Sequence, residues 1–429
     1  MKDESRLPEV TLVGTSGYGR RHLESLLGWH AQGLIRLSGL VDLRFADETR
    51  QALAASQAEP GWFGSVEESF AGGLPDVVVV ATPPQTHFDV ANSVLKRGVG
   101  LYLEKPPVPL LQQLDELAAL QTSRRFEIGF QETRRCVETL QTVLASREIG
   151  EVHRITAHAA LERPDAYYQR SGWAGKWFSD GLPVLDGPLF NPLAHILHTA
   201  LSFAKCVDGR WAPQTVDAEF YSVRAIEGDD LGALRVRSNY GPEVVAVGTT
   251  AADSVREPAV TLHGSKGTAT IRHRDGFCLV STGQAPVSFP VTGQVAALYD
   301  AVTNPEGSAD ELIDAAAVRP FVMVVNASVE AAHAPARLSH LQAKRLHEGR
   351  TFRYFPGIAE HIDTVTETGL LFSELGLDWA RPGGSLDLTE YSGLHHPLMT
   401  AIATPAGHPT CSGRSLYDDD KGLSQVGRT

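Results

Sequence analysis

The first 130 residues alternate between short apolar runs and segments whose apolar residues recur at helical spacing. The run VTLV from Val10 leads into a Gly-rich turn, and RRHLESLLGWH then places Leu23, Leu26 and Leu27 on one helical face. Leu34 to Val41 is a second apolar stretch, ending at Asp42, and ADETRQALAA follows with helical character. The run DVVVV, Asp76 to Val80, is continuous and β-branched, as expected of a central parallel strand covered on both faces. A helix follows it, with Phe88, Ala91 and Leu95 in step and Gly98 at its C-terminal cap, before Val99 to Leu103 resumes a strand. LLQQLDELAAL reads as a further helix and Phe126 to Phe130 as the sixth strand. Alternation of this kind predicts an α/β fold, a doubly wound parallel sheet with right-handed crossovers over residues 1–130.

Past Gly129 the pattern changes. A helix near Cys136 to Ser146 precedes the alternating strand VHRITAHAALE, and an irregular Trp- and Gly-containing stretch reaches Asp186. The spacing then predicts a helix from about Leu189 to Phe203, followed by AEFYSVRAIE, LGALRVRSNYG, EVVAVGTTAA, AVTLHG, GTATIRH and FCLVS as strands in series. Strands without intervening helices imply a second, α+β domain with a largely antiparallel open sheet over residues 131–355, closed by helices near Val295 to Thr303 and Ile313 to Ala332. Residues 356–429 form a C-terminal extension with one amphipathic segment, GLLFSELGLDWA, and a polar tail whose last ~20 residues are expected to be poorly ordered.

Composition narrows the function classes. The 429 residues are 42% hydrophobic and 21% charged, and 38 Lys+Arg against 51 Asp+Glu give a formal charge of −13, which repels phosphate backbones and argues against nucleic acid as a partner. Cys136, Cys206, Cys278 and Cys411 lie far apart with no CxxC pair, as free thiols in a reducing compartment do. The polar start lacks an apolar signal region, and no run approaches the roughly 18 apolar residues of a membrane span, so the expectation is a cytoplasmic protein with no membrane partner. The histidines, His395 and His396 included, show no metal-ligand spacing, and no metal is expected.

Candidate chemistry begins at Gly14-Thr15-Ser16-Gly17-Tyr18-Gly19, where the first strand ends and the first helix begins. In a GxGxxG fingerprint the three glycines make the tight turn, admit the pyrophosphate and allow close helix packing. Gly14 and Gly19 take the first and third places and Ser16 the second, with Gly17 beside it to relieve crowding. Asp42, twenty-three residues after Gly19, ends the second strand where a carboxylate accepts the ribose hydroxyls of NAD. It repels a 2′-phosphate, while Arg44 keeps NADP open. The first domain is therefore expected to be a Rossmann domain that binds NAD.

Two later segments carry a family resemblance. ATPPQTH (Ala81 to His87) and LEKPP (Leu103 to Pro107), both leaving the carboxyl ends of strands, resemble the signature segments of the Gfo/Idh/MocA family of NAD(P)-dependent oxidoreductases, and the similarity extends over roughly residues 9 to 350. The resemblance implies a second domain that supplies the substrate pocket and commonly an oligomer interface, hence a homo-oligomer. It implies that Lys105 reaches the substrate oxygen, that Thr82, Pro83, Pro84 and His87 form the loop under the cofactor, and that Glu104 orients this loop or the nicotinamide ribose. The family's helix with Asp and His four residues apart aligns with FNPLAHILH, so that His195 takes the His position and Asn191 replaces the Asp. Residues four apart on a helix share a face, which would aim Asn191 and His195 at one substrate oxygen, with His198 one turn further on. A histidine titrating near neutrality suits the proton step of alcohol oxidation or ketone reduction. Tyr168 and Trp177, in an aromatic stretch with Arg163, Tyr167 and Trp173, suit a polyhydroxylated ring, and equally suit a core or an interface.

The function implied is hydride transfer between NAD(P) and a secondary alcohol or ketone of a sugar, cyclitol or related polyol, with a small carbohydrate-like molecule as partner. Two alternatives stand beside it: a glycoside-cleaving enzyme of the same fold that uses NAD transiently, and a non-catalytic nucleotide-binding sensor.

Overall fold

The computed structural model describes residues 6–121, 124–272, 277–283, 285–290, 297–306 and 313–395. Its first domain runs β1 (Glu9–Val13), α1 (Tyr18–Ala31), β2 (Arg36–Val41), α2 (Asp47–Ala54), β3 (Gly61–Phe63), α3 (Val66–Ser69), β4 (Val77–Val80), α4 (His87–Leu95), β5 (Gly100–Leu103), α5 (Leu111–Ala119) and β6 (Phe126–Ile128). The six strands are parallel in the order β3-β2-β1-β4-β5-β6. All four valines of β4 are buried, because helices cover both faces of this central strand. Strand order reverses between β1 and β4, and their register pairs Val13 with Val80, so the chain leaves both strands side by side at Gly14 and Ala81. A crevice at such a switch point is where open α/β sheets bind ligands.

The second domain adds α6 (Gln131–Ser146), β7 (Val152–Glu162), the short hairpin β8 (Phe178–Ser179) and β9 (Leu182–Pro183), and α7 (Ala194–Val207). Then come β10 (Thr215–Ser222), β11 (Leu231–Arg237), β12 (Glu243–Thr249), β13 (Ala251–Gly264), β14 (Thr268–Arg272), β15 (Phe277–Ser281) and β16 (Val287–Pro290). After α8 (Ala297–Thr303) and α9 (Ala315–Ala332) follow β17 (Ala336–Arg337), the hairpin β18 (Ala343–His347) and β19 (Arg350–Tyr354), α10 (Ile358–Thr368) and β20 (Gly384–Asp387). The large sheet has the order β16-β15-β14-β13-β7-β12-β11-β10-β17, with β20 also on β10. It is mixed: β7 pairs β12 and β10 pairs β17 in parallel, and the other neighbours are antiparallel.

Strand alternation divides this sheet between two cores. Val244 and Ala246 of β12 pack with Ile196, Leu197 and Ala200 of α7 and with α9, while Val245 and Val247 face the other way onto Ile358, Ile362 and Val365 of α10. The helix of the extension is thus IAEHIDTVTET, ended at Gly369, and not GLLFSELGLDWA, which supplies only the 3-10 turn Phe372–Leu375. Residues 358–380 form an outer layer of the second domain, Gly384–Asp387 joins the large sheet as β20, and the final residues, from 396 on, lie outside the described ones.

α9 is long and apolar enough to cross a membrane, yet 67% of it is buried in the fold. It also fixes the two domains together. Asn326 on α9 accepts from Leu111 N at 2.9 Å and donates to Pro109 O at 2.7 Å, and Arg319 grips Asp115 of α5 through two bonds of 2.8 and 2.9 Å.

Candidate active site

The Gly-rich turn is shaped for a pyrophosphate. Gly14 has φ +87°, and a Cβ on it would sit 2.7 Å from Ala81 O, so a side chain here would push apart the two strand ends that form the crevice. Gly17, at φ +58°, is the N-cap of α1 and offers no side-chain cap at the positive end of this 14-residue helix. Ser16 and Tyr18 flank it on the exposed surface, and Gly19 N closes the turn on Ser16 O at 3.0 Å. Asp42, at the end of β2, accepts from Thr15 N (2.8 Å) and Thr15 Oγ1 (2.7 Å) through Oδ2, and from Arg44 N (3.3 Å) through Oδ1. The carboxylate expected at the ribose therefore also holds the phosphate turn in place.

The two signature loops are locked to each other. His87, buried at the start of α4, sets Nδ1 at 3.0 and 2.7 Å from Pro106 O and Pro107 O, and Nε2 at 2.7 Å from Thr82 O. Both ring nitrogens are taken up by carbonyls, so His87 fastens the loop after β4 to the loop after β5 and has no nitrogen left to offer a cofactor. Burial lowers its pKa and the three carbonyls oppose that. Pro83 and Pro84 start the 3-10 turn Pro84–Thr86, and Thr86 Oγ1 donates to Thr82 Oγ1 at 2.8 Å.

Glu104 is buried too. Its Oε1 lies 2.7 Å from His22 Nε2, and its Oε2 accepts from Lys105 N at 3.1 Å. His22, on α1 and edge-on to Tyr18 and Tyr102, was not among the residues singled out in the sequence, although RRHLE places it on the inward face of α1. These contacts tie Glu104 to α1 and to the loop after β5.

The second domain approaches through the turns before α7. Lys105 Nζ donates to Asn191 O at 3.3 Å, so the loop after β5 meets the second domain at this residue. Asn191 is not on the helix as expected: α7 begins at Ala194, because Pro192 has no N–H to continue a ladder and the chain turns from Gly187 to Leu193 instead. His195 is in the first turn of α7, edge-on to Phe130 at 5.6 Å. The side chain of Asn191 donates from Nδ2 to Asp186 Oδ1 at 2.8 Å, and Asp186 Oδ2 accepts from Gly175 N at 2.7 Å. Burial raises the Asp186 pKa, against those donors and the charges of Arg170 and Lys105.

The other expected substrate contacts are more deeply set. His198 is in the core, stacked on Phe130 at 4.2 Å and bonded to Thr133 Oγ1 at 2.8 Å, and burial lowers its pKa to about 3. It is a packing residue between α6 and α7 and not a pocket residue. Tyr168 Oη is tied to Thr250 Oγ1 at 2.6 Å, and its ring lines a cavity with Tyr167, Asp186, Pro192 and Asp229. Trp177, 4% exposed, donates its indole N–H to Asp229 Oδ1 at 2.8 Å and lines an adjoining apolar cavity. Burial pushes the Asp229 pKa up to about 7. Among the described residues no group of three or more His, Cys, Asp or Glu is arranged to hold a metal ion.

Two histidines, the buried His198 and the half-buried His158 of β7, set a stability window. With folded pKa values of about 3 for His198 and about 4 for His158, below the ordinary 6.5, both stay neutral in the fold, so their stabilisation is full above pH 6.5 and is lost as pH falls toward 4. The melting temperature is expected to drop between pH 7 and pH 4, and His198→Gln is expected to reduce that slope. Equal slopes for the two proteins, measured by calorimetry, would remove His198 from the account.

Known proteins fit this geometry. Residues 9–128 match the model of the GFO_IDH_MocA family, described as an oxidoreductase family with an NAD-binding Rossmann fold. The uncharacterized oxidoreductase YhhX of Escherichia coli is 29% identical over 198 residues, 45% of this chain and 52% of that protein, and the chain spans about half the length of the relatives it matches. The WlbA dehydrogenase of Bordetella pertussis, in complex with NADH and UDP-GlcNAcA, superposes with a TM-score of 0.59 at 21% identity, covering 76% of this chain and 96% of that one. A levoglucosan dehydrogenase in complex with NADH gives 0.59 at 14%, over 76% and 96%. At such identities the superpositions speak for the fold of both domains, and the sequence match speaks for the first: residues 9–128 match the NAD-binding Rossmann domain of the Gfo/Idh/MocA oxidoreductases.

Proposed function

We propose that the protein is an NAD-dependent oxidoreductase acting on a secondary alcohol, or the matching ketone, of a sugar, cyclitol or related polyol. The observation that carries this reading is the 3.3 Å contact between Lys105 Nζ and Asn191 O. It brings the cation at the carboxyl end of β5 against the segment that leads into His195, beside the crevice at the strand-order switch. Bound there, NAD would supply a hydride acceptor, and NADH a donor. The N-terminus of α1, Gly14 and Asp42 would hold it, with Ser16, Gly17, Tyr18 and Gly19 at the phosphates and Thr82, Pro83 and Pro84 beneath.

Within this frame each side chain has a definite task. Lys105 would stabilise negative charge on the reacting oxygen, where a fixed cation in a site shielded from water is most effective. His195 would take the hydroxyl proton in oxidation and return it in reduction. Asn191, whose amide is held by Asp186, would orient the substrate oxygen or the imidazole. Aromatic rings at Tyr168 and Trp177 beside Asp186 and Asp229 suit a polyhydroxylated molecule, the kind that the names of the WlbA complex and levoglucosan dehydrogenase also denote.

Incubation with NAD and a panel of free sugars, cyclitols and nucleotide sugars, followed at the absorbance band of reduced nicotinamide, tests the reading directly. Reduction with one member of the panel supports it. Release of sugar fragments without net reduction would move the protein to the glycoside-cleaving alternative, and nucleotide binding without turnover to the sensor. Asp42 gives an independent check. Losing a charge-assisted hydrogen bond costs about 1.5–3 kcal/mol, so Asp42→Ala is expected to weaken NAD binding about tenfold or more in calorimetric titration. Tighter binding of NADP than NAD by the unaltered protein would transfer the specificity role to Arg44.

A further inference from the structure

We infer that Asp186 supplies the fixed negative charge of this site through Asn191: it is a positioning residue that sets the Asn191 amide and balances the Lys105 ammonium. Its effect on turnover rests on the oxidoreductase reading above, but its effect on Lys105 does not.

Asp186 lies between the β8–β9 hairpin and the turns before α7, and it is 4% exposed. Both carboxyl oxygens receive N–H donors, from Asn191 Nδ2 and Gly175 N, while Arg170 Nη2 stands 3.7 Å from Oδ2. No acceptor is among these contacts, so the arrangement suits the ionised carboxylate. The carboxylate also decides which way the Asn191 amide points. The reverse orientation would set carbonyl oxygen against carboxylate oxygen, so Nδ2 faces Asp186 and Oδ1 is presented on the other side as an acceptor. Asn191 meanwhile takes the Lys105 ammonium on its backbone carbonyl. A single residue therefore links a half-buried cation and a buried anion, and the Lys105 charge favours the ionised form of Asp186 against the burial that raises its pKa.

This changes what Asn191 means. Read from the sequence, an amide where a carboxylate is expected deprives the site of negative charge. In the fold the charge is present nine residues before His195, and it is delivered by the turn that Pro192 keeps out of α7. Among the described residues, the other titratable groups beside Asp186 include Arg170, Tyr167, Tyr168 and Asp229.

Two measurements test the inference. In the ligand-free protein, the pH dependence of Lys105 acylation by trace acetic anhydride, read by peptide mass spectrometry, reports the ammonium directly. Asp186→Asn keeps the size of the side chain and is expected to lower the Lys105 midpoint by about one unit, the scale of losing a neighbouring opposite charge. An unchanged midpoint overturns the charge role, whether or not the protein turns over any sugar. On a substrate that the wild type oxidises, Asp186→Asn is expected to lower kcat about tenfold or more, with KM for NAD unchanged. Asn191→Asp alone sets two carboxyl groups against each other and is expected to be as poor. The double exchange, Asp186→Asn with Asn191→Asp, restores an amide–carboxylate pair and is expected to recover most of the loss. Additive losses in the double variant, with all three proteins melting as the wild type does, overturn the coupling through Asn191.

Discussion

Replacing Lys105 by methionine is expected to lower kcat by about a hundredfold or more while leaving the affinity for NADH nearly unchanged. The magnitude is that of removing one preorganised electrostatic contact from a site shielded from bulk water. Methionine keeps much of the length and apolar body of the side chain, so the loop after β5 retains its shape. That shape comes from elsewhere: Glu104 holds the Lys105 N–H, and His87 holds the carbonyls of Pro106 and Pro107. Steady-state rates with the best substrate, beside a fluorescence titration with NADH, separate the two effects. A kcat close to wild type with a lowered melting temperature would show that the Lys105–Asn191 contact serves only to fasten the two domains.

Much of this arrangement is legible in the chain, and what is not has identifiable causes. The DVVVV run, the Gly-rich turn and the two segments after β4 and β5 are local patterns. Each needs only its own neighbours to read, and β4, Gly14 and Lys105 stand where those patterns put them. Partners far apart in sequence are different: His22 and Glu104 are separated by 82 residues and no periodicity links them. The expected helix from Leu189 fails at Pro192, a residue that opposes a helix interior and in fact precedes the start of α7 by two positions. The apolar residues of this stretch, Leu189, Leu193 and Ile196, are spaced as on a helix, and Pro192 overrides them. The Asn191–Asp186 bond is not legible from helical spacing either, since a residue five positions away shares no helical face with Asn191.

The second core shows the same limit from another side. Ile358, Ala359, Ile362 and Val365 recur at helical spacing in IAEHIDTVTET, but its threonines and valines weaken the helical signal, and the leucine-rich segment after Gly369 reads as the stronger amphipathic candidate. Tertiary context decides: α10 forms because the outer face of β7, β12 and β13 needs an apolar cover. The resemblance implies an oligomer interface in this domain, and this chain lays its own helix over part of the sheet face.

His195 carries the other large expected effect. His195→Ala is expected to remove about a hundredfold to ten-thousandfold of the turnover, the usual contribution of a positioned proton acceptor, along with the fall of kcat toward acid pH in the oxidation direction, since an acceptor works only unprotonated. The competing candidate is His198, three residues along the same helix, and the surroundings separate the two. Both rings meet Phe130, but His198 lies flat against it, with Thr133 at Nδ1 and its pKa lowered to about 3. A base that weak holds a proton poorly at neutral pH, and a ring enclosed among α6, α7 and α9 does not reach a substrate. His198→Gln should therefore change the acid stability of the protein and leave the shape of the rate profile alone, whereas His195→Ala should do the reverse. Measuring melting temperature and kcat over the same pH series for both variants distinguishes the roles, and a His195→Ala protein that keeps its turnover and its profile would assign the proton step to another group, with Tyr168 excluded in turn if Tyr168→Phe is equally active.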